Sequence, residues 1–308
     1  MNETPLDLVT GGAGFIGSHI TEALLAAGRR VRVVDDLSTG YTRNLGDLKV
    51  DFLEGDLSDP EVADAACQGV EGVYHLAARP SVPWSFEEPE LAFQANHGST
   101  LALIQAAARH QVRRIVFSSS SAIYGDSQTL PKIETMEPAP KSPYAEHKLM
   151  GELALAEAAR SHGLEAVSLR YFNVYGPRQD PSSPYSGVIS LFVRWAQEGQ
   201  PARIFGDGLQ TRDFIYVADV VKANLKAMEA DLGELSAPVV NIARGRRVTI
   251  LELWKEICQA AGQPYLEPEL GPERQGDVRH SLAAVKKARE LLGFQAEVDL
   301  EQGIRSTL

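Results

Sequence analysis

A tyrosine and a lysine four positions apart have the residue types and spacing best suited to chemistry in this sequence. Tyr144 and Lys148 lie in the run Tyr-Ala-Glu-His-Lys, which places a phenol and an ammonium on one face of a helix. A free tyrosine titrates near ~10, too high for a general base at neutral pH. The lysine cation is expected to stabilise the phenolate and to lower that pKa. An exposed helix with a solvated lysine would show the same spacing, so other signals must accompany it.

Serines precede this pair at the end of a predicted strand. Ser118 and Ser120 belong to a run of four serines at the end of the strand Arg114–Ser119. Ligands bind at the C-terminal edge of parallel strands, where a serine can hydrogen-bond a substrate hydroxyl and share its proton with Tyr144. No Gly-x-Ser-x-Gly elbow surrounds the run, which argues against a serine nucleophile. The alternative interpretation is a polar strand end without a chemical role.

A glycine-rich turn near the N-terminus indicates a dinucleotide site. The strand Leu6–Thr10 runs into Gly-Gly-Ala-Gly-Phe-Ile-Gly, and a helix is predicted over Phe15–Ala27. Glycines let the chain turn tightly and let the backbone approach a pyrophosphate, which the helix N-terminus attracts. The spacing is G-x-x-G-x-x-G instead of the commoner G-x-G-x-x-G, but the flanking strand and helix support the assignment. The residues expected to contact the cofactor here are Gly11, Gly14, Phe15, Ile16 and Gly17.

Acidic residues after the next two strands indicate which dinucleotide is bound. Asp35, followed by Asp36, ends the second strand about twenty residues beyond the turn, where a carboxylate accepts a hydrogen bond from the adenosine ribose. A carboxylate there repels a 2′-phosphate, so NAD is favoured over NADP, although Arg32 lies close by. Asp56 and Leu57 are expected at the adenine edge, where Asp56 could equally be a turn residue. An oxidised nicotinamide would add its positive charge to that of the lysine beside the phenol.

The elements that must position these residues follow the pattern of a parallel α/β sheet. Short apolar runs alternate with helical stretches in the first half of the chain. Further strands are predicted at Val31–Asp35, Val50–Leu53, Gly72–Leu76 and Ala166–Tyr171, and further helices at Leu91–His110 and Tyr144–Ser161. The predicted fold class is α/β, a Rossmann-type doubly wound parallel sheet with a smaller mixed α/β C-terminal substrate lobe.

The character of the sequence changes after about residue 174, where a loop-rich stretch begins. The elements predicted beyond it are a helix at Val188–Gln197, a strand–loop unit at Ala202–Phe214, a helix at Ala218–Glu229 and a strand at Val239–Ile242. From Thr249 onward the tail is expected to be mostly helical, with proline-rich breaks. We therefore predict an NAD-binding domain over residues 1–173 with returning elements at about 215–243, and a substrate lobe formed by 174–214 and 244–308.

Composition excludes several other classes of protein. The chain carries 30 Lys+Arg against 41 Asp+Glu, a net charge of −11, which argues against nonspecific binding to nucleic acid or anionic membranes. No run approaches the roughly 18 apolar residues of a membrane span, and the start lacks the features of a signal peptide, so a cytoplasmic location is expected. Cys67 and Cys258 show no metal-ligand spacing, and the seven histidines are scattered. We expect no metal.

The glycine turn, the strand-end serines and Tyr-x-x-x-Lys, in this order, resemble the extended branch of the short-chain dehydrogenase/reductase family over nearly the whole chain. Supporting matches are His75-Leu76-Ala77-Ala78, Tyr124-Gly125 and Arg170-Tyr171-Phe172-Asn173. The resemblance implies that Ser120, Tyr144 and Lys148 form the catalytic set. It also implies that Asn96 helps to hold the active-site helix. The further residues implied to contact NAD are Leu76, Ala77, Ala78, Asn96, Ser118, Tyr144, Lys148 and Tyr171.

Within that family, the stretches 206–219 and 274–279 resemble the nucleotide-sugar enzymes. By this resemblance Arg212 and Arg274 clamp the diphosphate of a UDP-sugar, a task suited to planar guanidinium groups. Surface salt bridges are the alternative for these arginines. The other residues implied to contact the substrate are Ser120, Phe172, Asn173, Asp277 and Val188, the last in a Gly-Val pair where some glucose epimerases carry Asn-Leu.

The residues beside Ser120 favour one branch of this sugar chemistry. Dehydratases and decarboxylases of the family carry a carboxylate at the positions that match Ser120, Ser121 and Ala122, and this chain has none there. The resemblance therefore implies 4-epimerisation of UDP-hexoses, in which a transient 4-keto sugar takes the hydride back on its other face and NAD is regenerated. Ser281 is small where some epimerases carry a bulky tyrosine, so UDP-N-acetylglucosamine is a second expected substrate.

Three alternatives stay open at this stage. A dehydratase or decarboxylase of the same fold would change the mass of the sugar. A non-catalytic NAD-binding scaffold would have no need of Ser120, Tyr144 and Lys148 together. Epimerisation of UDP-glucuronate would require a basic residue at the C6 carboxylate, for which Arg178 is the candidate. The resemblance also implies a homodimer that pairs the Tyr144 helix with the Leu91–His110 helix.

Overall fold

The computed structural model describes residues 4–180, 187–273 and 278–308. In chain order its strands and helices are β1 (Leu6–Thr10), α1 (Phe15–Ala26), β2 (Arg30–Asp35), β3 (Asp51–Glu54), α2 (Pro60–Cys67), β4 (Gly72–His75), α3 (Val82–Glu87), α4 (Pro89–Phe93), α5 (Ser99–Arg109), β5 (Arg114–Ser120), α6 (Pro143–His162), β6 (Glu165–Tyr171), β7 (Asn173–Tyr175), α7 (Val188–Gln197), β8 (Arg203–Phe205), β9 (Thr211–Tyr216), α8 (Val217–Glu229), β10 (Val239–Ile242), β11 (Arg247–Thr249), α9 (Ile250–Ala260), β12 (Glu269–Gly271), α10 (Lys286–Leu292) and α11 (Leu300–Arg305).

The main sheet has seven strands in the order β10-β6-β5-β4-β1-β2-β3, and all its pairings are parallel. Its central strands are buried because helices cover both faces; all five residues of β1 are buried. Helices α1, α8 and α10 pack on one face, and α2, α5 and α6 pack on the other. The predicted doubly wound Rossmann-type fold is confirmed.

The strand order reverses between β1 and β4, which are neighbours in the sheet although β2 and β3 separate them in sequence. Chain connections leave the two strands toward opposite faces there, so a crevice opens at their C-terminal ends. The loops that follow β1, β4 and β5 all meet at this edge. The elements therefore bring the glycine turn and the serine run to the same place.

A smaller lobe contains two further sheets, which are separate from the main sheet. Its three-stranded sheet has the order β11-β9-β7, and β12 pairs with β8 in a separate two-stranded sheet. A second core, which includes Phe192 and the fully buried Trp254, lies between α7, α9 and these strands. Helix α8 and strand β10 return to the main sheet, whereas β9 belongs to the small one. The division into two domains at the predicted boundaries stays a prediction.

Two of the predicted elements are wrong in detail. The helix predicted over Leu91–His110 is interrupted by a π-helical turn at Gln94–Gly98 between α4 and α5. The hydroxyls of Ser99 and Thr100 bond the carbonyl oxygens of Ala95 and Asn96, so these side chains stabilise the irregular turn. The tail from Thr249 contains three helices separated by strand β12 and extended segments, because its prolines interrupt helix formation, so the prediction of a mostly helical tail is wrong.

Two short helices and three short strands have no counterpart in the sequence-based prediction. They are α2, α3, β7, β11 and β12. Each has eight residues or fewer, too few for a periodic pattern to stand out. Among the described residues, none of the helices combines the length and apolar character that a membrane span requires.

Candidate active site

The glycine turn connects β1 to α1 in a conformation that suits a pyrophosphate. Gly11 has φ +66°, and a Cβ there would lie 2.9 Å from the Ala77 nitrogen. A Cβ on Gly17 would lie 2.2 Å from the Gly11 oxygen, so the helix can approach the turn only with glycine at this position. Gly14 directly precedes α1 and provides no side-chain cap, so the first backbone amides of the helix are available to bind an anion. Phe15 and Ile16 form the first turn and are half-buried.

Asp35 lies at the end of β2, where the ribose of the dinucleotide is expected. Its two oxygens accept hydrogen bonds from the backbone nitrogens of Ala13 and Leu37, each at 2.9 Å. Burial raises the pKa of this carboxyl, and the two backbone donors lower it in part. Each carboxylate oxygen keeps a further lone pair for a ribose hydroxyl. Asp35 is therefore fixed at the end of β2 with acceptor capacity left on both oxygens.

The other acidic positions near this end of the sheet are less enclosed. Asp36 is exposed and accepts from the nitrogen and hydroxyl of Ser38, and Asp56 is exposed beside the buried Leu57. Arg32, the residue that could have favoured NADP, donates to Asp51 and to backbone oxygens at the end of α2. Its guanidinium is therefore engaged away from Asp35, so it does not weaken the case for NAD.

The segment after β4 is fixed from both of its ends. The backbone nitrogens of Leu76 and Ala77 both donate to the Thr10 hydroxyl at 3.1 Å. The Asn96 side chain accepts from the Arg79 nitrogen at 2.7 Å and donates to the Arg79 oxygen at 3.4 Å. Asn96 was expected to hold the active-site helix; its amide holds this segment instead, because the π-helical turn directs it there. Ala78 lies between the two anchors and is half-buried.

Ser120, Tyr144 and Lys148 come together at the C-terminal end of β5. Tyr144 lies in the first turn of α6, and its phenol is hydrogen-bonded to the Ser120 side chain. The Lys148 ammonium donates to the Ser118 carbonyl at 2.8 Å and lies 5.9 Å from the centre of the Tyr144 ring. Helix α6 begins at Ser142, whose hydroxyl accepts from the Ala145 nitrogen, and proline follows in its first turn. The structure thus brings the three predicted catalytic residues together.

Burial controls the electrostatics of this group. It raises the pKa of the Tyr144 phenol, and the hydrogen bond with Ser120 lowers it in part. Burial lowers the pKa of Lys148 to about 7. The chain's own groups therefore shift the pKa of the phenol in the direction opposite to the one expected from the spacing, because desolvation outweighs the hydrogen bond with Ser120.

The residues predicted to bind the sugar lie beyond β6. Phe172 is buried beside the Tyr124 ring, and the Asn173 amide donates to the Asp213 carbonyl at 3.2 Å. Val188 is the first residue of α7, and Arg212 lies on β9, where its guanidinium donates to the Thr211 carbonyl at 3.0 Å. Arg274 and Asp277 lie outside the described residues. The predicted cofactor contact Tyr171 is buried, and its hydroxyl donates to Asn224 at 2.9 Å.

Several residues at the site were not predicted from the sequence. The Ser85 hydroxyl accepts from the Tyr144 nitrogen at 3.2 Å, which places α3 against the start of α6. Glu152 lies on α6 one turn beyond Lys148 and two turns beyond Tyr144. Its carboxylate accepts hydrogen bonds from Ser119 and from the buried Arg170. The helical step from Lys148 to Glu152 was visible in the sequence, but no sequence signal identified Arg170 as its partner.

Known proteins resemble this chain in sequence and structure over nearly its whole length. The model of the NAD dependent epimerase/dehydratase family matches residues 8–243. A putative UDP-glucose 4-epimerase of Methanocaldococcus jannaschii is 39% identical over 97% of this chain and 95% of its own length. The UDP-glucose 4-epimerase of Thermotoga maritima, solved with UDP-glucose, has a TM-score of 0.93 and 41% identity over 98% of this chain and 97% of that one.

A second solved structure matches equally well. The UDP-N-acetylglucosamine 4-epimerase of Methanobrevibacter ruminantium, solved with UDP-N-acetylmuramic acid, has a TM-score of 0.93 and 38% identity over 100% of this chain and 97% of that one. The matches span the cofactor domain and the smaller lobe alike. With the glycine turn, the carboxylate at the end of β2 and the serine, tyrosine and lysine set in place, this chain belongs to the NAD-dependent epimerase/dehydratase family.

Proposed function

We propose that this chain is an NAD-dependent 4-epimerase of UDP-hexoses that interconverts UDP-glucose and UDP-galactose. The observation that carries the proposal is the juxtaposition of Ser120, Tyr144 and Lys148 at the crevice beside the glycine turn. Relatives whose names state this activity align with nearly the whole chain. The catalytic and binding roles given to individual residues below are part of the proposal.

The chain's own residues manage the proton in this reaction. Tyr144 removes the proton of the C4 hydroxyl as a general base, and Ser120 hydrogen-bonds the same oxygen. When bound, NAD would accept the hydride from C4 and return it to the opposite face of the 4-keto sugar after that sugar has rotated in the site. Tyr144 then gives its proton back to the new C4 oxygen. Proton and hydride are both returned, so the product has the mass of the substrate and no other reductant is needed.

A lyase reaction is less well supported. A dehydratase must also remove the C5 proton and expel the 6-hydroxyl, which requires an additional acid–base group near the sugar. Ser120, Ser121 and Ala122 occupy the positions where such carboxylates are expected. The Ser120 side chain instead accepts from the Ala122 nitrogen at 3.1 Å. These residues support a cycle that stops at the 4-keto sugar and returns.

The proposed substrates include the N-acetylated UDP-hexoses. Ser281 pairs through its backbone nitrogen with the Thr211 carbonyl at 3.1 Å, directly before the proposed diphosphate contact Arg212. A small side chain there leaves room beside the sugar for an N-acetyl group. Arg212 and Arg274 are proposed to clamp the diphosphate and Asp277 to bind the ribose. A related enzyme named for UDP-N-acetylglucosamine supports this extension.

Arg178 does not favour UDP-glucuronate as the substrate. Its guanidinium is 2.6 Å from a carboxylate oxygen of Glu22 and 3.3 Å from the Ser18 hydroxyl, both on α1. A cation already paired with a carboxylate on α1 is not free to meet the C6 carboxylate of the sugar. The glucuronate reaction therefore has no candidate cation from the sequence-based prediction.

We also propose a homodimer formed through α4, α5 and α6. These helices expose large apolar side chains, and Phe93 of α4 contacts the His147 ring of α6 at 5.5 Å, which joins them into one face. Exposed apolar clusters of this kind mark protein interfaces more often than free surface. The exposed residues are Leu91, Phe93, Leu101, Met150 and Leu153. A cytoplasmic location is part of the same proposal.

The proposal is tested by incubating the pure protein with UDP-glucose and following the anomeric protons by NMR. The expected result is growth of the UDP-galactose signal to equilibrium, without added NAD and without a change in mass. UDP-N-acetylglucosamine and UDP-glucuronate are tested in parallel, with turnover of the first and not of the second expected. A product of lower mass, or no conversion of any of the three by NAD-loaded protein, would refute the proposed function.

A further inference from the structure

A continuous chain of buried hydrogen bonds links β1, β4 and α5 behind the crevice. The Thr10 hydroxyl lies 2.8 Å from Nδ1 of His75, and Nε2 of His75 lies 2.9 Å from the Thr100 hydroxyl. The Thr100 hydroxyl donates to the Asn96 carbonyl at 3.0 Å. All four residues are at most 1% exposed. His75 begins the motif His75-Leu76-Ala77-Ala78, and the sequence alone indicates no chemical role for it.

The contacts determine where each proton lies. The Thr10 hydroxyl oxygen accepts from the nitrogens of Ala77 and Leu76, and Leu76 shares its N–H with the Thr10 carbonyl oxygen. The hydroxyl proton is therefore directed to the remaining neighbour, Nδ1 of His75. His75 Nδ1 is then the acceptor, and the ring proton is on Nε2, from which it is donated to Thr100. Thr100 in turn donates to Asn96. The His75 imidazole is therefore neutral and in a single tautomer.

The surroundings of His75 support the neutral ring. It stacks on Phe117 at 5.5 Å, and burial, with the charge of Lys148, lowers its pKa to about 3. A protonated ring would place an N–H opposite the Thr10 hydroxyl proton and break the first link. The ring is therefore uncharged at neutral pH.

This hydrogen-bond chain holds the segment 76–79 at both ends. At one end, the Thr10 hydroxyl accepts hydrogen bonds from the backbone nitrogens of Leu76 and Ala77. At the other end, the Asn96 amide is hydrogen-bonded to the backbone of Arg79. The same segment lies against the phosphate turn, because a Cβ on Gly11 would be 2.9 Å from the Ala77 nitrogen. A shift of this segment therefore shifts the wall of the cofactor crevice.

We propose that His75 and Thr100 are positioning residues for NAD, which act by holding segment 76–79 through the Nε2–H tautomer of His75. They do not touch the reacting atoms. Thr100 is the central link, because its hydroxyl both accepts from His75 and fixes the π-helical turn that carries Asn96. The inference rests on the cofactor of the family and not on the choice of sugar, so it goes beyond the proposed function.

The first test reads the tautomer directly in the wild-type protein loaded with NAD. Long-range proton–nitrogen NMR of histidine-labelled protein should show His75 protonated on Nε2 and bare on Nδ1, unchanged between about pH 6 and pH 9. A His75 ring protonated on Nδ1, or one that titrates in this range, would overturn the proposal. This measurement needs no variant and no sugar.

The second test compares two buried helical threonines. Thr100→Val removes the link, Thr100→Ser keeps the hydroxyl, and Thr21→Val is the matched control. Thr21 lies in α1, and within the described residues its buried hydroxyl has no hydrogen-bond partner. The readout is the rate at which bound NAD leaves each purified holoprotein after rapid dilution, with the His75 nitrogen shifts and the thermal midpoint recorded alongside.

Thr100→Val should release NAD on the order of tenfold faster, because the His75 Nε2–H loses its acceptor. Thr100→Ser should restore the wild-type rate and tautomer, and Thr21→Val should match the wild type. A Thr100→Val protein that is less stable but releases NAD at the wild-type rate would show a merely structural role and sink the proposal. Inactivity toward UDP-sugars with these NAD results intact would count against the proposed function alone.

Discussion

In the mechanism that we propose, the phenol of Tyr144 must lose a proton in a place that disfavours charge. Burial raises its pKa, and the same burial lowers the pKa of Lys148 to about 7. Ser120 offsets part of the cost through its hydrogen bond. In the proposed mechanism, an oxidised nicotinamide bound beside the phenol would supply a positive charge that favours the phenolate, so removal of the proton by Tyr144 would be linked to the oxidation state of the cofactor.

Replacing Tyr144 with phenylalanine tests this role at the scale of one oxygen atom. Tyr144→Phe should lower the rate of UDP-galactose formation by about 10²–10⁴-fold, the range typical of general acid–base groups, while NAD stays bound. Initial rates are measured by NMR and the NAD content by absorbance. Tyr74→Phe, at a buried core position of β4, is the control and should keep the wild-type rate. An unchanged rate in Tyr144→Phe would contradict the mechanism.

The pKa of Lys148 makes a second residue-scale prediction, about stability. Between pH 7 and ~10, the unfolded chain binds a proton at this lysine that the folded chain does not, so the lysine makes the free energy of unfolding rise with pH. Lys148→Met lacks this contribution. Its stability relative to the wild type should therefore be highest below pH 7 and should fall as the pH rises toward 10.

Urea unfolding at several pH values measures this difference. Lys255→Met, at an exposed position of α9, is the control and should leave the pH dependence of the free energy of unfolding as it is in the wild type. A constant difference between Lys148→Met and the wild type across this range would mean that the buried lysine keeps its ordinary pKa.

At the scale of elements, one buried ion pair fixes the catalytic helix to the sheet. Glu152 of α6 accepts two hydrogen bonds from Arg170 of β6, at 2.9 and 2.7 Å, and both side chains are 4% exposed. Glu152 also accepts from Ser119 of β5. The carboxylate therefore fixes the position of α6 relative to β5 and β6. Ser120 lies at the end of β5, and the proposed sugar-binding residues follow β6.

Breaking this pair should destabilise the fold strongly, because it leaves Arg170 charged and buried without its partner. Glu152→Gln is expected to lower the free energy of unfolding by about 3–5 kcal/mol. Glu157→Gln, on the same helix but in an exposed pair with Arg160, should cost less than about 1 kcal/mol. Denaturant unfolding of both variants measures the contrast, and equal losses would show that the buried pair has no special structural role.

At the scale of the whole molecule, we propose that the face formed by α4, α5 and α6 is the interface of a homodimer. Leu153 is 61% exposed at this face, and Leu235 is 50% exposed in the loop before β10. Leu153→Asp should convert the dimer to a monomer because a carboxylate would be buried in the interface, whereas Leu235→Asp should stay dimeric. Sedimentation velocity distinguishes them; a monomeric wild type, or a dimeric Leu153→Asp, would contradict the proposed interface.

The positions of most strands along the chain and the chemistry of local motifs could be predicted from the sequence. The glycine turn, Asp35 and the Tyr144–Lys148 step each lie within one element or one strand–turn–helix unit. Hydrophobic periodicity and short-range spacing specify such features. The predicted bounds of β1, α7 and β10 agree with the structure, because large apolar residues make up most of each element. Elements such as α2 and β12 were missed because each carries only one large apolar side chain.

The sequence by itself therefore determined the fold class, the glycine turn and the three side chains to which we propose to assign catalysis. Only the tertiary structure decided that the phenol is harder to ionise than in water, that Glu152 pairs with Arg170, and that His75 is held between Thr10 and Thr100. Those pairings join residues 18 to 65 positions apart, and no spacing rule encodes them. They arise when packing removes water from polar groups, which must then find partners across different elements.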